Sequence, residues 1–413
     1  MDQQSLTLDR RLFLKLSGVG ACDSLLGRPS AKAMSDATEN RRPEVSDAIT
    51  LFLCGDVMLG RGIDQILPHP SGPRLYEPEV RSAKTYVELA GRANSPIPRP
   101  VDFAYVWGDA LDALRRVEPD LRIINLETSV TKRSEPAPKG INYKMNPANG
   151  PCLTAAGIDC CVLANNHVLD WGLPGLLETL ETLEILGVQY AGAGRDTAQA
   201  EAPAVLEIPR KGRVLVFAFG SVTSGIPREW AAGANRPGVN LLADLSNRTI
   251  AHIGDRVHAA KRPGDVAVAS IHWGGNWGFE IPAQQRHFAH GLIDRAGFDL
   301  VHGHSSHHPK GIEIYRGKPI LYGCGDFLND YEGIAGYEEF RDDLVVMYLP
   351  RFAAASRNLI DFGLQVFQIR QFRLNRASEQ DTAWLLATLE RESRKFGTRI
   401  ESRGANRFSV LWH

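Results

Sequence analysis

The densest chemical signal in the chain is His302-Gly303-His304-Ser305-Ser306-His307-His308, which gathers four of the twelve histidines into seven residues. Packing alone rarely asks for that. The cluster follows the apolar pair Leu300-Val301, and other polar residues stand in the same relation to short apolar runs. Asp56 comes after Leu51-Phe52-Leu53, Glu127 after Ile123-Ile124, Asn166-His167 after Val162-Leu163, and His272 directly after residues 266–271. Carboxylate, amide oxygen and imidazole together suit divalent Mn, Zn or Fe, whereas an all-oxygen set suits Ca or Mg and thiolates suit structural zinc. Such a set, with one or two ions, is a hydrolytic centre, since two ions about 3.5–4 Å apart hold a hydroxide and the substrate oxygens together. Each piece also has a plainer reading. Gly55-Asp56 is equally a turn or a helix cap, Asn165-Asn166-His167 an Asx-turn, and His272-Trp273 part of a buried aromatic cluster. Strand alternation turns His302 to the core and His308 to solvent.

Strand ends are what would bring these residues together. From Ile49 onward, short β-branched and aromatic runs alternate with helical patterns, which predicts an α/β fold. Strands are expected at 49–53, 121–124, 160–163, 266–271 and 298–301, with tail strands at 344–349 and 364–372. Hairpins are expected over Pro209-Arg210-Lys211-Gly212 and over Arg316-Gly317-Lys318. Helices are expected at 110–117, at 282–296, at 381–395, and through Leu176, Leu177, Leu180 and Leu183 to a stop at Gly187. In open α/β sheets ligands bind in the crevice outside the carboxyl ends of the strands. Five strand ends that each deliver a carboxylate, amide or imidazole therefore converge on one site.

Composition narrows the classes. With 43% hydrophobic and 23% charged residues, the 413-residue chain is of ordinary globular composition. Its 47 Lys+Arg against 48 Asp+Glu do not supply the basic excess a nucleic-acid partner requires. The cysteines make no spaced framework; Cys54, Cys160, Cys161 and Cys324 sit in or beside apolar runs and read as buried thiols. At the N-terminus, Asp9-Arg10-Arg11-Leu12-Phe13-Leu14-Lys15 resembles a twin-arginine export signal, followed by an apolar stretch and the small-residue site Ala31-Lys32-Ala33. Residues 1–33 are thus expected to be an export segment and 34–47 a linker. The protein would work in the periplasm or elsewhere outside the cytoplasm, free or anchored to the membrane by that segment.

Gly55-Asp56-Val57-Met58-Leu59-Gly60-Arg61, Asn125-Leu126-Glu127, Leu163-Ala164-Asn165-Asn166-His167-Val168-Leu169-Asp170-Trp171-Gly172, His272-Trp273-Gly274 and Gly303-His304-Ser305-Ser306-His307, with Gly311-Ile312-Glu313 following, closely resemble the CapA family of capsule and poly-gamma-glutamate biosynthesis proteins. That family is similar to the calcineurin-like metallophosphatases. The resemblance implies two packed mixed β-sheets flanked by helices, an α/β/β/α sandwich over residues 48–350, with 351–413 as a C-terminal β/α extension on the same domain. It also implies metal ligation by Asp56, Glu127, Asn166, His272, His304 and His307, and a catalytic role for His167. Asp170 is expected to orient His167. Arg61, Lys144 and Lys310 are candidates to neutralise substrate carboxylates. Two departures from the metallophosphatase and CapA patterns stand out. Met58 occupies the place of a ligand histidine, so one ion position is expected to be weakened and Met58 to form an apolar wall; Asp326 stands where relatives commonly carry asparagine. The implied function is a metal-dependent hydrolase acting on an anionic envelope polymer or its precursor. The alternative is a non-catalytic factor that binds, assembles or transports the polymer through the same crevice. Membrane-bound polymer synthase subunits are the expected protein partners.

Overall fold

In the computed structural model, which describes residues 48–412, the strand Ala48–Val57 is buried along its whole length and organises the larger of two sheets. The expected export segment and linker lie outside the described residues. The larger sheet has ten strands, with Leu121–Leu126, Cys160–Val162 and Gln189–Ala191 parallel on one side of Ala48–Val57 and Leu344–Ala353 antiparallel on the other. Leu359–Arg370, Arg407–Leu411 and Arg399–Gly404 continue it outward, so the C-terminal segment extends this sheet. The smaller sheet has six strands. Gly212–Gly220, Val266–His272, Leu300–His304 and Lys318–Leu321 run parallel at its centre, and the hairpin partners Ala204–Ile208 and Ile312–Tyr315 close its edges.

The sequence pattern explains why the sheets face each other. Residues two apart on a strand share a face. On Gly212–Gly220, Val214, Val216 and Ala218 join a core with Ile49, Leu51 and Leu53 of the larger sheet. Leu215, Phe217 and Phe219 instead pack on Ile250, Ile253 and Val257 of the helix Asn247–Ala260 and Phe288 and Leu292 of the helix Ala283–Asp294. Both faces are apolar, so these strands read as continuous hydrophobic runs. On the other side, Leu176, Leu180 and Leu183 of Gly172–Leu186 pack into the core of the larger sheet, and Gly187 ends that helix in a left-handed conformation at φ 69°. The result is the layered sandwich that the motifs implied.

Several elements were not expected, among them two long helices and the two last strands. Ala83–Ala93 buries Ala83, Tyr86, Val87 and Ala90, a stripe short of large aliphatics, and Asn247–Ala260 buries Ile250, Ile253 and Val257 behind a Ser246 cap. Arg399–Gly404 is a mostly exposed, polar edge strand, and Arg407–Leu411 is a short strand between it and Leu359–Arg370. His308 is a correction. It is fully buried, with its ring 4.7 Å from Phe340 and 4.6 Å from Phe279, because it lies past the strand end where alternation no longer governs direction. Among the described residues, no helix is long and apolar enough to cross a membrane.

Candidate metal centre

On the face between the sheets, the parallel strands of the smaller sheet turn from apolar to polar as they approach their carboxyl ends. Val266 and Val268 are succeeded by Ser270 and His272, and Leu300 by His302 and His304. The register sets Ser270 beside His302 and His272 beside His304. In the larger sheet Asp56 is in register with Asn125 on one side and Asp326 on the other. That last pairing depends on Gly55: a Cβ there would stand 1.6 Å from the Gly325 carbonyl oxygen. Gly55 thus permits the approach that sets two aspartates side by side.

Two groups of ligand atoms result, and they share Asp56. In the first, Asp56, His272 and His304 present donors within 4.8 Å of one another; Asp56 Oδ1 is 3.9 Å from His272 Nδ1 and 3.7 Å from His304 Nδ1. His272 Nε2 faces Asn166 Oδ1 at 2.9 Å and Glu127 Oε1 at 3.7 Å. In the second, Asp56 is joined by His307 and Asp326, whose Nδ1 and Oδ1 are 3.0 Å apart. Donors about 2.0–2.2 Å from a common ion are separated by no more than about 4.4 Å, so these spacings fit ligation. The six expected ligands are therefore gathered at one place. Asn165 makes the Asx-turn, accepting from the His167 and Val168 N–H groups at 3.0 Å each, and this frees Asn166 to face His272.

The orientation of His304 can be deduced atom by atom. The Cys54 carbonyl only accepts, so His302 Nε2, 2.7 Å away, carries a proton. Burial lowers the His302 pKa to about 4, so the ring is neutral and Nδ1 accepts from the Ser270 hydroxyl at 3.0 Å. Ser270 Oγ then accepts from His304 Nε2–H at 2.9 Å. His304, also held neutral by burial, is left with an unprotonated Nδ1 that faces His272 Nδ1 at 2.8 Å and Asp56 Oδ1 at 3.7 Å. Ser270→Ala is expected to weaken metal binding by about 10–100-fold with little change in fold, read by competition with a chelating dye. An unchanged affinity would mean that this relay does not orient the ligand.

The electrostatics fit a cation. Burial first, and then the Asp326 charge, raise the Asp56 pKa to about 8. Glu127 is raised by burial and by Asp56 and Asp326, while burial lowers His272 and His304. Crowded carboxylates beside neutral imidazoles are costly without a cation and favourable around one. Ser305 supplies a further constraint. At φ 103°, unusual for a residue with a side chain, it directs its N–H to Asp56 Oδ2 at 3.2 Å.

A pocket of about 620 Å³ opens over the centre, lined by Glu127, Asn166, His167, Ser305 and His307 among others. His167 Nδ1 is 2.6 Å from Asp170 Oδ2, which also accepts from the Tyr143 N–H at 2.6 Å, and the Tyr143 ring stacks on the imidazole at 3.8 Å. Lys139 donates to Asp170 Oδ1 at 2.8 Å. Arg61 lines the pocket with its guanidinium engaged by Asp330, Glu77 and Tyr86. Lys144 and Lys310 lie outside the pocket. Lys144 donates to the Arg133 carbonyl and sits over the Trp171 ring, while Lys310 is buried, which lowers its pKa to about 8. Met58 is buried with its sulfur accepting from Gly60 N–H, and it too lies outside the pocket lining. Sequence reasoning missed Lys139, Ser270 and the ligand geometry of Asp326. Asp326 begins a strand, Asp326–Leu328, instead of ending one, so a search of strand ends passes over it.

The family model described as bacterial capsule synthesis protein PGA_cap matches residues 50–331, and the chain belongs to that family. It is 49% identical to a probable polyglutamine synthesis accessory protein of Mycobacterium tuberculosis, over 88% of this chain and 96% of the relative. It is 27% identical to the PGA biosynthesis protein CapA of Bacillus subtilis, over 73% of this chain and 68% of the relative. Among solved structures, a novel phosphatase of Mycoplasma pneumoniae aligns with a TM-score of 0.43 and 11% identity, covering 78% of this chain and 94% of the other.

Proposed function

We propose that the crevice is a divalent-metal hydrolytic centre in a protein that serves capsule or polyglutamate synthesis. The observation that carries this reading is the pair of ligand groups sharing Asp56. Asp56, His272 and His304 would hold one ion, with Asn166 and Glu127 against the other ring nitrogen of His272; Asp56, His307 and Asp326 would hold the other. Asp326 thereby supplies the second group with a carboxylate of its own. Bound divalent ions supply Lewis acidity toward an ester or amide oxygen. The chain's own residues position and exchange the proton. With its Nδ1–H engaged by Asp170, His167 exchanges a proton at Nε2 with the group in the pocket. Burial lowers its pKa to about 4, and the Tyr143 stack holds the plane of the ring. The polymer context rests on the names of the relatives, a polyglutamine synthesis accessory protein and a PGA biosynthesis protein.

Elemental analysis of the full chain after loading with Mn and desalting tests this. About two ions per chain are expected, together with turnover of an aryl phosphate that chelation abolishes. Asp326→Ala should lower the stoichiometry by about one ion. A chain that takes up no divalent ion at pH 8 ends the hydrolytic reading. Uptake without turnover of phosphoesters or γ-glutamyl amides favours the non-catalytic assembly role instead.

A further inference from the structure

We propose that this centre takes a molecule with a single anionic group joined to an uncharged planar or apolar flank, and not a polyanion laid along the crevice. The inference rests on the metal-centre reading and deepens it. A polymer with a carboxylate on every unit needs a series of free cations along its path. The pocket lining offers two cations, and both are engaged: Arg61 by Asp330 and Glu77, Lys139 by Asp170. Lys144 and Lys310 do not reach it. Acidic residues line the same space, Glu338 exposed beside Tyr337, Asp342 half-buried within reach of the His307 and Asp326 charges, and Glu127 beside His272, and would repel successive carboxylates. Free positive charge would therefore be confined to ions held by the ligand groups that share Asp56, which is room for one anionic head.

Beside its polar groups the lining carries an aromatic and aliphatic face formed by Ile141, Trp277, Ile334 and Tyr337. Of eight large hydrophobic residues exposed among the described residues, three line this one pocket: Ile141 at 42%, Ile334 at 50% and Tyr337 at 49%. Isolated exposed hydrophobics are ordinary, but clustering at the mouth of a polar centre marks a binding surface. Tyr337 is stacked on Trp277 with ring centroids 4.1 Å apart and planes 9° apart, and Trp277 lies against the ligand His307 at 5.3 Å. The aromatic surface thus runs from the metal ligands to the mouth. A flank leaving the anionic head along that line would be covered by two rings and two isoleucines.

Phosphonates, which are not hydrolysed, test the idea on the Mn-loaded full chain by calorimetry: methylphosphonate, naphthylmethylphosphonate, decylphosphonate, and mono- to tetra-γ-glutamate. The naphthyl or decyl compound is expected to bind at least about tenfold more tightly than methylphosphonate, and the better of the two tells a planar flank from an aliphatic one. Tyr337→Ala and Ile334→Ser should each reduce that ratio to below about threefold. Ile185→Ser, on a distant exposed residue, should leave it unchanged. Affinity for γ-glutamate should not rise with the number of units. Flanks that add nothing, or γ-glutamate affinity that climbs with length and falls steeply with salt while the aromatic variant is silent, would overturn the proposal. Mn stoichiometry separates the two failures: no Mn uptake defeats the metal centre and this inference together, whereas Mn uptake without flank preference defeats the inference alone.

Discussion

Asp56→Asn is expected to empty both ion positions at once and to lower turnover of an aryl phosphate by at least about a thousandfold. The side chain belongs to both ligand groups, a reach that no other residue has among the described residues. Asparagine keeps the shape and one oxygen but loses the charge on which two divalent ions depend. Ligation and charge stabilisation of several kcal/mol correspond to three or more powers of ten in rate. The variant should fold well, because Asp56 is a liability in the ion-free chain. Its pKa is raised in the folded state, so its contribution to stability is fully present below the unfolded carboxyl pKa and is lost as pH rises through about 8. Ion-free protein is therefore expected to lose stability between about pH 4 and pH 8, and Asp56→Asn to flatten that slope. With ions the trend reverses, since ligation requires the deprotonated carboxylate and binding tightens as pH rises. Thermal melts across this range with and without Mn, beside elemental analysis, distinguish the outcomes. Retention of two ions by the variant would show that Asp56 does not bridge them.

The second large effect falls on stability. Arg61→Met is expected to cost about 3–5 kcal/mol, read from denaturant unfolding of ion-free protein. The Arg61 and Asp330 side chains are 2% and 0% exposed, and the guanidinium also reaches Glu77 and the Tyr86 hydroxyl. Burial by itself would lower the Arg61 pKa, but Asp330 and the other acidic neighbours hold it above its usual value. Removing the arginine strands two buried carboxyl groups, and the penalty comes from those partners more than from the lost contact. Arg61→Met combined with Asp330→Asn should therefore recover part of the loss. Asp330 Oδ2 also accepts from the Gly62 N–H at 2.8 Å, which fixes the start of the helix Arg61–Ile66, so recovery is expected to be partial. A loss below about 1 kcal/mol would place the pair among the weak ion pairs typical of protein surfaces.

The strands that carry Asp56, Glu127, His272 and His304 could be located from the chain because period-two alternation and apolar runs are local properties, and a residue at a strand's carboxyl end keeps that position whatever the strand pairs with. The motifs supplied the layered fold and the ligand list for the same reason: each motif is a few contiguous residues with a defined backbone path. Three things depended on the packed structure. Asp326 meets His307 and Asp56 because Gly55 leaves room for the Gly325 carbonyl of the neighbouring segment. Lys139, far from any motif, reaches Asp170 across 31 residues of sequence, and Ser270 orients His304 across 34. Arg61, Lys144 and Lys310 have the same charge on paper, yet one lines the pocket with its guanidinium already engaged, one packs on Trp171 and one is buried. Residue type and spacing state which atoms a segment can offer. Which of those atoms remain unsatisfied, and so available to an ion or a substrate, is decided by the partners that distant segments bring, and only the folded chain assembles those partners.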